Sequence, residues 1–138
     1  MRLEDIIKEC PTNNTRHDRL IKSLAATTEL SPNVITIAKN AYYKIDKFEG
    51  DIDLIQMLRD GDKYDLYDWQ EVPFDDCTLL IYEMKTHDSV RNYGKALSQL
   101  QKSKSLITTK TDYKNIDPFY AFTLGDGGSY TWKYIGGL

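Results

Sequence analysis

The apolar positions along this chain fall into two periods. In "TRHDRLIKSLAATTEL" (15–30), Leu20, Ile21 and Leu24 recur at helical spacing, and Ser31-Pro32-Asn33 ends the pattern. "NVITIAKNAYYKI" (33–45) is dense in β-branched and aromatic residues and predicts a strand; "DKFEG" turns the chain, and "DIDLIQML" (51–58) predicts a second strand. "TLLIYEMKT" (78–86) is almost continuously apolar, which predicts a third, central strand. Asp88 or Ser89 caps a helix over "VRNYGKALSQLQKSKSLI" (90–107), with Tyr93, Ala96, Leu97 and Leu100 on one stripe. "PFYAFTLG" and "SYTWKYI" flank "DGG" as a C-terminal hairpin, and "LEDIIKEC" before Pro11 reads as a short amphipathic turn. The Asp60-Gly61 turn signal leads into "YDLYDWQEV" (64–72), which fits either a hairpin extension or an acidic loop. The order helix, three strands, helix, strand, strand predicts an α/β single domain over residues 1–138 with a mixed sheet.

The end of the third strand raises a chemical question. Side chains alternate across a strand, so Leu79, Ile81, Glu83 and Lys85 share one face, and a carboxylate and an ammonium emerge together where the apolar run stops. Alone, Glu-x-Lys is a same-face ion pair worth about 0–1 kcal/mol when exposed. The neighbouring strand changes its meaning. Asp51 and Asp53 in "GDIDLI" share a face with Ile55 at the start of their strand, and antiparallel pairing lays that start beside the end of the next strand. Asp53 and Glu83 then converge. Two half-buried carboxylates repel unless a cation or a proton sits between them, and oxygen donors of this kind suit Mg²⁺ or Mn²⁺. Beside them, Lys85 is placed to hold or help deprotonate an attacking water and to offset charge on a phosphoryl transition state. That combination is phosphodiester hydrolysis. Asp75 and Asp76 lie too far back along the extended chain to compete, and Asp112-Tyr113-Lys114 reads as loop.

Composition narrows the partners. At 138 residues with 41% hydrophobic and 28% charged content, the chain suits one soluble core. No apolar run approaches bilayer length, and the acidic N-terminus does not resemble a signal peptide, so an intracellular, cytoplasmic protein without a membrane partner is expected. Cys10 and Cys77 lack metal or disulfide spacing and read as buried thiols. Net charge is −3, yet the charges segregate: Asp60, Asp62, Asp65, Asp68, Glu71, Asp75 and Asp76 precede a segment with Lys85, Arg91, Lys95, Lys102, Lys104, Lys110 and Lys114. Arg91, Lys95, Gln99 and Lys102 share the polar face of the second helix, a surface for a polyanion. His17 reads as helical packing and His87 as an exposed side chain. Tyr130, Trp132 and Tyr134 alternate on one face of the last strand, where covering the sheet or an interface outweighs base stacking.

The Asp of "GDIDLI" and the Glu-x-Lys of "LLIYEMKT" resemble the motifs of the PD-(D/E)XK nuclease superfamily, and within it the archaeal Holliday-junction resolvase-like endonucleases. The resemblance runs from about Arg16 to Leu124. It implies a restriction-endonuclease-like α-β-β-β-α-β core, with Asp53 and Glu83 as metal ligands and Lys85 as catalytic lysine. Arg16-His17-Asp18-Arg19 is similar to the first-helix motif of those resolvases, with Asp18 in the place of its acid, and Gln99 matches a glutamine or lysine often found on the later helix. Asp51 is a further acid beside this set. The implied activity is Mg²⁺-dependent deoxyribonuclease action on junction or branched DNA, with Arg91, Lys95 and Lys102 as nucleic-acid contacts and a homodimer expected for duplex cleavage. The alternative is a module that keeps the fold and binds nucleic acid, or assembles with a partner, without turnover.

Overall fold

The computed structural model describes residues 3–59, 77–124 and 129–138. A 3₁₀ turn (Leu3–Asp5) and strand β1 (Ile7–Glu9) lead into helix α1 (Arg16–Thr28), strands β2 (Val34–Ile45), β3 (Phe48–Arg59) and β4 (Cys77–Lys85), helix α2 (Val90–Lys110), and strands β5 (Ile116–Leu124) and β6 (Ser129–Tyr134). The strands form one mixed sheet in sequential order, β1-β2-β3-β4-β5-β6. Every pairing is antiparallel except β4 with β5, which run parallel because α2 returns the chain between them. The predicted α/β class, mixed sheet and C-terminal hairpin are present.

Each helix covers one face. Leu20, Ile21, Leu24 and Ala25 of α1 pack with Leu54, Leu80, Tyr82, Met84 and Ala121. Leu100 and Ile107 of α2 pack with Ile52, Ile55, Met57, Leu79 and Ile81 on the other side. The alternation in β4 therefore separates two cores, which is why that strand reads as continuously apolar. Ser89 is the α2 cap, its Oγ accepting from Asn92 N at 3.0 Å. The buried stripe of α2 is Ala96, Leu100, Ser103 and Ile107, while Tyr93 is exposed.

Three expectations are corrected. The N-terminal segment contributes β1, an edge strand paired to β2 from Ile7↔Tyr43 to Glu9↔Ala41, not merely a turn. The turn between β2 and β3 shrinks to Asp46-Lys47, because Asp46 adopts a left-handed φ of 55° and Ile45 pairs directly with Phe48. β3 consequently starts earlier than the apolar pattern suggests, and Asp53 falls in mid-strand. Cys10 is half-buried, not buried. The acidic stretch from Asp60 to Asp76, the side chain of Cys77 and the glycines at 125–128 lie outside the described residues.

Candidate active site

The site forms where the β3–β4 ladder ends while β4 stays paired to β5. The last rung between β3 and β4 is Leu54↔Tyr82, so Asp53 and Glu83 stand immediately beyond it. In β2 the position facing Asp53 is Asn40, which takes a left-handed φ of 52°. A left-handed residue breaks the pleat locally, and Ile52 and Ile55 both reach the α2-side core, although strict alternation would separate them. Asp51 lies outside this break, exposed and in register with Tyr42.

Asp53 is 8% exposed and Glu83 only 2%. Asp53 Oδ2 accepts from the Met84 amide at 2.7 Å, which ties the carboxylate of β3 to the backbone of β4. Glu83 Oε1 is buried and has no hydrogen-bond partner among the described residues. Burial first, then the charge of Asp53 and a hydrogen bond to it, push the Glu83 carboxyl well above its ordinary value; Lys85 opposes them and Asp51 adds slightly. Ionisation of the Glu83 carboxyl beside Asp53 in this buried position is therefore disfavoured. Tyr43, buried beside α2 and hydrogen-bonded to Ser103 Oγ at 3.3 Å, lies close enough to Glu83 for its phenol to respond to that charge, although burial is the main force raising it.

His17 joins the pair. Its Nε2 lies 3.3 Å from Asp53 Oδ2 and its Nδ1 lies 3.1 Å from Asp18 Oδ1. An imidazole with a carboxylate on each nitrogen favours the doubly protonated form, and the hydrogen bond to Asp53 leads the forces raising its pKa to about 9. Asp18 is held low, first by the Asn13 amide at 2.7 Å and then by His17. The local cause is the start of α1: Thr15 Oγ1 accepts from Asp18 N, which fixes the first turn and aims His17 at β3. Packing alone is therefore the wrong reading of His17. The signal was Thr15-x-x-Asp18, a cap that sets the first-turn rotation, but only the sheet shows what that turn faces.

Lys85, half-buried, donates to Gln99 Oε1 at 3.1 Å, so the strand lysine and the α2 glutamine meet as a unit. The helix cations divide. Lys95 lines an open groove with Lys85, Gly94, Ser98 and Gln99. Arg91 is exposed near the start of α2. Lys102 reaches the other way and donates to the Glu49 carbonyl at 2.8 Å. His87 is exposed. Tyr130 bonds Thr27 and packs toward α1, with Trp132 and Tyr134 more exposed beyond it.

Asp53 and Glu83 are oxygen donors of the class that suits a hard divalent cation, and Glu83 Oε1 is a buried acceptor with no partner among the described residues. Among the described residues no three His, Cys, Asp or Glu side chains group as a cation cage. No helix among the described residues is long and apolar enough to cross a membrane. No protein-family model matches the chain, and no curated protein matches it.

Proposed function

We propose that this chain is a metal-dependent phosphodiesterase, a deoxyribonuclease of the PD-(D/E)XK kind. The carrying observation is Glu83, a carboxyl almost wholly buried beside a second carboxylate, with one oxygen unpartnered among the described residues and a lysine two residues on. Such an arrangement costs stability and is accounted for by a cation bound in use. The order α1, β2, β3, β4, α2, β5 supports a restriction-endonuclease-like core, with both motifs at the end of the β3–β4 ladder.

Asp53 and Glu83 are the residues that would hold Mg²⁺ or Mn²⁺, which when bound supplies charge neutralisation at the phosphate and acidifies water. Asp53 is kept in orientation by the Met84 amide and by His17, and Asp18 in turn holds His17. Lys85, restrained by Gln99, presents its ammonium on the same strand face as Glu83, where it offsets charge building on phosphoryl oxygens and orients the attacking water. Lys95 and Arg91 extend a positive surface from that point for DNA, with junction or branched DNA as substrate and a homodimer as the working form.

One observation favours the binding module instead. Asp53 Oδ2 is already engaged by Met84 and His17, as in a site locked without metal. The deciding experiment is cleavage of labelled duplex, single-stranded, flap and four-way-junction DNA with Mg²⁺ or Mn²⁺, against EDTA and Glu83→Ala. Cutting that requires both metal and Glu83 is the expected result. A folded wild-type protein that cuts none of these substrates with metal in excess sinks the nuclease and leaves the binding module.

A further inference from the structure

Gly94 is exposed in the second turn of α2, and neither usual reason for a helical glycine applies to it. Its φ is not positive, and a Cβ built on it would meet nothing within 4 Å among the described residues. Alanine there would fit this chain and favour the helix, because glycine is a much weaker helix former. The open space is not featureless. Gly94 and Ser98 lie one helical turn apart, Lys95 and Gln99 run alongside at the same spacing, and Lys85 lines the same groove from β4. The Lys85–Gln99 hydrogen bond restrains one ammonium on this groove, and Lys95 contributes a second lysine to its lining. A low floor between two ammonium groups suits a bulky anionic chain that must approach the helix backbone closely, as a phosphodiester backbone does.

Resting on the nuclease reading above, we infer that the groove over Gly94 is the track of the DNA strand's sugar–phosphate backbone as it leaves the Asp53–Glu83 centre, with Lys95 and Ser98 as phosphate contacts and Gly94 left bare to admit it. Gly94 is then a positioning residue for substrate, maintained against the helix's own preference.

The test uses Gly94→Ala and Gly94→Leu, both good helix formers of increasing size, in the full chain. Binding of fluorescently labelled duplex and four-way-junction DNA is measured in EDTA, steady-state cleavage in Mg²⁺, and melting temperature in parallel. The inference expects Gly94→Ala to melt about 3 °C higher. It expects DNA affinity to fall about threefold for Ala and about tenfold or more for Leu, a loss that appears in KM with kcat retained. Variants that bind and cut like wild type overturn the track while leaving the nuclease intact. Variants that lose affinity and thermal stability together overturn it also, since Gly94 would then serve the fold. A wild-type protein that neither binds nor cuts DNA removes the nuclease reading and this inference with it.

Discussion

Glu83 carries an ionisable group in a place that opposes its ionisation. Because its folded-state pKa is raised, the stability tied to its bound proton is complete below its ordinary 4.5 and is lost as pH climbs toward the folded value. His17 acts in the same direction: its contribution is complete below 6.5 and gone above about 9. Asp18, held low, contributes above 3.8 and loses that contribution as pH falls through its folded value. Metal-free protein is therefore expected to melt at progressively lower temperature from mildly acidic to alkaline pH, measured by thermal scans in EDTA. Glu83→Gln should flatten the acidic part of that slope and raise stability in EDTA by on the order of 1 kcal/mol, while lowering metal-dependent cleavage about a thousandfold. A variant less stable than wild type in EDTA would contradict the repulsion argument. At His17, replacement by Ala removes the side chain that bridges Asp53 and Asp18, leaving each with its backbone amide donor. Metal affinity or kcat is expected to fall about 10- to 100-fold, with partial return in His17→Gln, whose amide can still donate to Asp53. Metal titration and rates at saturating metal separate the two effects.

At the scale of elements, the hairpin of β2 and β3 does more than add strands. Tyr43 lies opposite Gly50, and a Cβ at Gly50 would stand 2.6 Å from the Tyr43 hydroxyl and 2.8 Å from its ring. Tyr43 is fully buried and hydrogen-bonded to Ser103 of α2, so the ring has little freedom to retreat. Gly50→Ala is expected to cost about 1–3 kcal/mol and to lower activity as the displaced Tyr43 loses its contact between β2 and α2, readable by denaturant unfolding and cleavage assays. Such a contact was not legible beforehand. Gly50 looks like one turn glycine among others, and the glycine of "DKFEG" falls inside β3 only because Asp46 tightens the turn. The strand alternation of β4, by contrast, was readable because its two faces meet two cores.

Across the whole molecule, the net charge of −3 understates the positive surface. Lys85, Lys95 and Arg91 sit on or beside one end of α2, whereas Lys102 is tied to the Glu49 carbonyl. DNA affinity should fall with salt with a log–log slope of about −2 to −3. Lys95→Ala should reduce that slope by about one, and Lys102→Ala should leave it nearly unchanged, as binding isotherms at several salt concentrations will show. Helical spacing placed both lysines on one face, but it says nothing of which carbonyl each reaches.

The sequence by itself determined what depends on local period and strand adjacency. Apolar spacing located both helices and the main strands, and the antiparallel adjacency of β3 and β4 brought Asp53 to Glu83 and set Lys85 beside them. Those follow from 3.6- and two-residue repeats and from short connections, which a chain carries in its residues. Tertiary structure alone decided what depends on rotation and distance between elements remote in sequence. It turned the first coil of α1 so that His17 spans Asp18 and Asp53, bent the pleat at Asn40, and sent Lys85 to Gln99 and Lys102 to Glu49. Periodicity fixes which face a side chain occupies. The packing of whole helices against the sheet fixes what that face meets.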